Sequence, residues 1–207
     1  MIEINRFTLP NGLRIVHNQD SATAMVALNI LYNVGSRDEN PQSTGMAHLF
    51  EHLMFGGSKN IPEFDKALEE AGGTNNAWTN CDFTNFYDIV PAHNVETAFW
   101  LESDRMNALA FSERSLEVQR QVVCEEFKQV CLNQPYGDLF HHLYALAYKV
   151  HPYRYPVIGK ELSHIEKVTM DDVKSFFYRH YAPNNAVLAV TGNISFDETR
   201  RLAEKWF

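Results

Sequence analysis

Apolar and polar positions along the chain fall into bursts of strand-like alternation separated by runs with helical spacing. Residues 2–9 and 13–18 flank Asn11-Gly12, a dipeptide that favours a tight hairpin turn, and predict a first strand pair. Residues 25–34 form an apolar run suited to a central strand. An apolar stretch from Met46 to Phe55 predicts a helix, with Thr44-Gly45 at its start and Gly56-Gly57 where a left-handed cap would end it. A second helix is predicted over 62–71, closed by Gly72-Gly73, followed by strands over 75–81 and 83–90 around Asp82. Helices are then expected over 95–109, 112–132, 137–149 and 170–181, before a strand over 186–191 and a helix opening at Phe196. This order predicts an α+β fold, a mostly antiparallel β-sheet with helices packed against it, rather than a doubly wound parallel sheet.

With 207 residues and 45% hydrophobic content, the chain can bury a full core, and a single domain over residues 1–207 is expected. A formal net charge of −8, from 26 acidic against 18 basic residues, argues against a nucleic-acid or anionic-membrane partner. No stretch approaches the roughly 18 consecutive apolar residues of a membrane span, and the first residues lack the layout of a secretion signal. The expectation is a cytoplasmic protein, or a periplasmic or secreted one if a signal has been removed. Cys81, Cys124 and Cys131 are too few and too far apart for a disulfide framework or a thiolate zinc site, and read as small buried hydrophobes. Residues 197–207 read as the middle of an amphipathic helix without a cap or polar tail, so a fragment of a longer protein is expected.

The candidate chemistry lies in His48-Leu49-Phe50-Glu51-His52. Residues three and four apart share a helix face, so His48, Glu51 and His52 point the same way. Met46, Ala47, Leu49, Phe50, Leu53, Met54 and Phe55 leave the helix apolar almost all round, which predicts burial. Two imidazoles and a carboxylate carried into an apolar interior need partners. One bound cation satisfies them together; hydrogen bonding inside an ordinary core is the plainer alternative.

Zinc in a catalytic site takes three protein ligands and keeps a fourth position for water, so a partner must come from elsewhere. The helix over 112–132 carries an apolar stripe through Val122, Val123, Phe127 and Val130, and Glu126 lies in it, whereas Glu125 turns away. A core-facing acid calls for a cation: a buried arginine or lysine, or the ion of the pentapeptide. Beside the pentapeptide, the metal is the favoured partner. Gln119, seven residues earlier, is placed to hydrogen-bond a ligand from behind. His141 and His142 diverge on their helix, and His151, His164 and His180 stand without a cluster.

The order His-x-x-Glu-His is the inverse of the commoner zinc-helix motif. Together with further segments it resembles the insulinase and pitrilysin family of zinc metallopeptidases, which includes the mitochondrial processing peptidases. Those segments are Leu9-Pro10-Asn11-Gly12-Leu13-Arg14, residues 72–79 with Asn76-Ala77-Trp78-Thr79, Glu102-Ser103-Asp104-Arg105-Met106, Val122-Val123-Cys124-Glu125-Glu126, His151-Pro152-Tyr153 and Tyr181-Ala182-Pro183-Asn184-Asn185-Ala186. The resemblance covers nearly the whole chain. It implies one zinc ion per domain on His48, His52 and Glu126, with Glu51 as the catalytic base. It implies that Asn76 and Ala77 bind substrate on an exposed edge against which an extended peptide adds as a further strand. Where the family commonly has a second glutamate, this chain has Gln119, a neutral amide that can hydrogen-bond but adds no negative charge.

The resemblance further implies a zinc-dependent endopeptidase acting on extended or unstructured peptides. Zinc would polarise the scissile carbonyl and lower the pKa of a water toward about 7, with Glu51 moving the proton. Family members are built from repeats of this domain type around a clam-like chamber, and the opposite half contributes arginine and tyrosine side chains. An N-terminal zinc-binding domain of this kind is expected to be inactive without the C-terminal half of the same protein or a partner subunit. The alternative is a non-catalytic scaffold or partner subunit of a peptidase complex, with Gln119 the one feature in its favour.

Overall fold

A computed structural model describes residues 2–207. Strands β1 (Asn5–Thr8) and β2 (Arg14–Gln19) form the expected hairpin. Next come β3 (Met25–Tyr32), helices α1 (Met46–Met54) and α2 (Phe64–Glu70), strands β4 (Thr74–Thr79) and β5 (Thr84–Pro91), and helix α3 (Val95–Asn107). Then follow α4 (Glu113–Phe127), α5 (Leu139–Ala147), α6 (Leu162–Glu166), α7 (Met170–His180), β6 (Ala186–Gly192) and α8 (Phe196–Trp206). The six strands make one sheet in the order β1-β2-β6-β3-β5-β4. Neighbours are antiparallel except β2 and β6, which run parallel in register from Arg14 opposite Val187 to Gln19 opposite Gly192. The α+β expectation holds at this level: the sheet is mixed and mostly antiparallel.

Alternation decides which face is covered. On β3, Val26, Leu28, Ile30 and Tyr32 are buried while the residues between them are half-buried. They meet Leu49, Phe50, Leu53 and Met54 of α1, Phe99 and Leu101 of α3, and Phe177 of α7 in one core.

That core also holds a charge cluster that the patterning does not announce. Arg105, Glu102 and Asp88 are all buried. The Arg105 guanidinium donates to both Glu102 oxygens, through Nε at 2.9 Å, and lies 4.3 Å from the Phe64 ring centre and 4.5 Å from that of Phe86. Burial and the neighbouring Glu102 push the Asp88 carboxyl well up, which favours its neutral form. Asp104 accepts from Ser58 and Asn60 and ties down the loop after α1. The Glu102-to-Met106 segment is therefore structural.

Two predicted elements differ, and one helix was not predicted. The helix expected over 112–132 is α-helical only to Phe127 and continues as a π-turn over Lys128–Leu132. The helix expected over 137–149 starts at Leu139, after a turn in which Tyr136 adopts φ 62°, and none of its residues is buried. Helix α6, at five residues, is too short to leave a periodic signal. Cys124 and Cys131 are buried as expected, while Cys81 is half-buried.

Candidate metal centre

Helix α1 is held at its start from several sides. Gly45 occupies the cap position at φ 90°, and a side chain there would press on the Ile158 carbonyl at 3.0 Å. The two oxygens of the Glu39 carboxyl group accept from the Gly45 N–H at 2.8 Å and the Ala47 N–H at 2.7 Å, filling the role of a helix cap. Burial pushes this carboxyl up to about 8, against the pull of those backbone donors. The Thr44 N–H donates to His164 Nδ1 at 3.2 Å, and the Lys160 N–H donates to Thr44 Oγ1 at 2.7 Å. At the other end, a Cβ on Gly56 would stand 2.3 Å from Ser115 Oγ and 3.1 Å from the Leu53 carbonyl, so any side chain there would have to turn the Ser115 hydroxyl aside where α4 packs on the turn that ends α1.

These contacts aim His48 and His52 at Glu126 across the groove between α1 and α4. The two Nε2 atoms are 3.3 Å apart. His48 Nε2 is 3.7 Å from Glu126 Oε1, and His52 Nε2 is 3.5 Å from Glu126 Oε2. A tetrahedral zinc site with bonds of about 2.0–2.1 Å has ligand–ligand edges of roughly 3.3–3.4 Å; the imidazole pair matches this edge, and one atom from each of the three residues lies within 4.8 Å of the others, each imidazole nearest a different Glu126 oxygen. Among the described residues, these three form the cluster of ionisable donors able to hold a metal. Burial pushes the His48 imidazole down, toward the neutral form that ligates. The adjacent His52 imidazole, 3.5 Å away, and then His48 hold the Glu126 carboxyl low, and it stays ionised.

Glu51 shares the helix face but lies outside the cluster of candidate ligands. Its Oε2 accepts from the Thr79 hydroxyl at the end of β4, and burial pushes its carboxyl up. A carboxylate beside the ligands but free of them is placed to handle protons. Asn76 and Ala77 lie on β4, the open edge of the sheet. Asn80 donates its N–H to the Phe83 carbonyl at 3.0 Å, and bonded pairs alternate along an antiparallel ladder. Thr74, Asn76 and Trp78 thus direct their backbone groups to β5, and Asn75, Ala77 and Thr79 direct theirs to the open edge. The Ala77 N–H agrees, for it donates to the Asn76 side chain at 2.8 Å and not to β5.

Two parts of the expected picture change. The apolar stripe that singled out Glu126 faces the core only in part: Val123 and Phe127 are buried, together with Leu116 and Cys124, but Val122 and Val130 are 44% and 40% exposed. Glu126, with its side chain 38% exposed, sits on the border between these faces, and His48 and His52 are partly open at 14% and 25%. The pentapeptide helix is buried on its Leu49 and Phe50 side only. Gln119 is half-buried and, among the described residues, makes no hydrogen bond to a histidine or glutamate of the site. Of the other histidines, His141 bonds the Gly159 carbonyl at 2.9 Å and His142 pairs with Asp138, both away from the cluster. Thr79 and Glu39 were not expected at the site; both reach α1 from other elements, and only an inverted search for partners of Glu51 and of the Gly45 cap would have found them.

The family model for insulinase (peptidase family M16) matches residues 14–161, and that for the M16 inactive domain matches residues 167–207. A protein named zinc protease PqqE from Helicobacter pylori is 34% identical over 203 residues, 97% of this chain and 46% of that protein. A probable mitochondrial-processing peptidase subunit beta from Arabidopsis thaliana is 27% identical over 97% of this chain and 38% of its own length. The crystal structure of a protease from Helicobacter pylori superposes with a TM-score of 0.95 at 33% identity, covering 100% of this chain and 50% of that one. The chain spans about half the length of these relatives or less. On the match to residues 14–161, which is more than half its length, the chain belongs to the insulinase family of peptidases, family M16.

Proposed function

We propose that this chain is the metal-binding part of a zinc-dependent endopeptidase, with His48, His52 and Glu126 as ligands and Glu51 as general base. The observation that carries the reading is two imidazoles 3.3 Å apart, each within 3.5–3.7 Å of a Glu126 oxygen, with a second carboxylate, that of Glu51, held aside by Thr79. Zinc bound there would supply Lewis-acid polarisation of a peptide carbonyl and acidify a water. Glu51 takes the proton from the attacking water and returns it to the leaving amine, a task its raised pKa suits at neutral pH. His48, held neutral, and Glu126, held ionised, keep their lone pairs available without first losing protons.

An extended peptide adds to β4 as a further strand, pairing with the outward backbone groups of Asn75, Ala77 and Thr79. Asn76 contributes its side chain, which leaves the Ala77 N–H as the peptide arrives. Such pairing reads main chain and demands little sequence. Activity requires the rest of a longer protein or a partner subunit; the span of the relatives and the bare apolar surface of α5 support this. Among the described residues, no helix is long and apolar enough to cross a membrane.

The test is a Glu51→Gln variant of the full-length protein. It should bind zinc as the parent does and lose cleavage of an unstructured peptide by a factor on the order of 10³ or more. Retained cleavage would remove Glu51 from the role, and absent zinc in the parent would overturn the metal site.

A further inference from the structure

Thr79 belongs to two systems at once. Its backbone N–H and C=O face the open edge of β4, where the peptide strand is proposed to pair. Its side chain points to the opposite duty: with Asn75 and Ala77 it lies on the half-buried side of β4, toward α1, and its hydroxyl donates to Glu51 Oε2. Glu51 Oε1 has no hydrogen-bond partner among the described residues, so one oxygen is fixed and the other is left for a proton. A threonine hydroxyl in a strand has little rotational freedom, because branching at Cβ restricts χ1. Its position therefore follows the backbone. Glutamate has three side-chain torsions and would otherwise sample many places in a groove this open.

We propose that Thr79 is a positioning residue that registers the general base to the substrate strand, so that the peptide pairing with its backbone and the carboxylate bound to its hydroxyl share one anchor. This rests on the endopeptidase reading above and goes beyond it by naming what aligns base and peptide. A misalignment of about 1 Å between reacting groups can cost on the order of 10²-fold in rate, which is the scale at which such an anchor acts. Serine keeps the hydroxyl and valine keeps the shape, so the two separate hydrogen bonding from packing.

The experiment uses the zinc-loaded full-length protein with Thr79→Val, Thr79→Ser and Glu51→Gln, cleaving an unstructured fluorogenic peptide. Zinc content and unfolding midpoint are measured for each, and the dissociation constant of the same peptide is measured with and without Thr79→Val in the Glu51→Gln background. Thr79→Val is expected to lower kcat by about tenfold or more, with KM, zinc content and peptide affinity within about twofold of the parent, and Thr79→Ser to recover most of the rate. The proposal is overturned if Thr79→Val leaves kcat within about twofold, if its zinc or peptide affinity falls in step with its activity, or if Thr79→Ser is no better than Thr79→Val. Cleavage by Glu51→Gln would instead bring down the endopeptidase reading itself, a separate outcome.

Discussion

Helices α1 and α4 supply the two sides of the groove proposed to bind the metal and are held in opposite ways. Helix α1 is capped by Glu39, braced by His164 through Thr44, and buried along Leu49, Phe50 and Leu53. Helix α4 buries Leu116, Val123 and Phe127 but leaves Val118 and Val122 open, and it runs into a π-turn that exposes Val130 and then into α5, none of whose residues is buried. The imidazoles are thus set by the core of this chain, while the carboxylate sits at the margin of a surface that the chain itself does not cover. A metal joining them ties a rigid element to a less supported one, and π-turns commonly mark such functional positions.

The largest test of this contrast is Phe50→Ala. Phe50 is fully buried, stacks on Tyr181 at 4.3 Å between ring centres, and packs against Phe177 at 5.9 Å. Removing it should cost about 3–5 kcal/mol of unfolding free energy, read from the urea midpoint, and weaken zinc binding by loosening α1. A cost under about 1 kcal/mol would mean that α1 is not anchored by the core as described.

The contrast also explains what was legible in the sequence. His48, Glu51 and His52 could be grouped because helical spacing is local, and the two strand pairs and Gly45-to-Gly57 boundaries follow from turn chemistry of the same short range. Glu126 was reached through an apolar stripe of which Val123 and Phe127 proved to be core and Val122 and Val130 surface; valines at 122 and 130 read the same whether they face a core or await a partner surface. The β2–β6 pairing, the Glu39 cap and the Thr79–Glu51 bond join residues from separate elements and leave no periodic trace. Arg105, Glu102 and Asp88 were hidden for another reason: charged residues ordinarily lie outside, and burial as a cluster reverses that rule.

A smaller effect probes the cap. With its pKa raised from 4.5 to about 8, the Glu39 carboxyl is neutral in the folded protein where it is ionised in the unfolded one. Folding then takes up a proton between these values, so this group's contribution is fully present below about pH 4.5 and is lost as pH rises toward 8. In Glu39→Gln, an amide NH₂ must face one of the Gly45 and Ala47 donors, which should cost about 1–3 kcal/mol at pH 5. The variant no longer titrates there, so the gap to the parent should narrow by pH 8. Urea midpoints at the two pH values check this, and a gap that widens with pH would mean that the cap works as a carboxylate anion throughout.

The smallest effect carries the most information about α4 and α5. Leu143 lies on α5 and is 47% exposed, so Leu143→Ser in the 207-residue chain removes little buried area and should change stability by no more than about 0.5 kcal/mol. If the remainder of a longer protein or a partner covers α5, the same substitution in the assembled protein exposes a polar group to an apolar contact and should cost on the order of 1 kcal/mol or more. The comparison is internal, one substitution read in two contexts by the same denaturation measurement. Equal small costs in both would leave α5 bare in the working protein and withdraw it as support for a covering partner, whereas a cost confined to the assembled form would locate that partner beside the helix that presents Glu126.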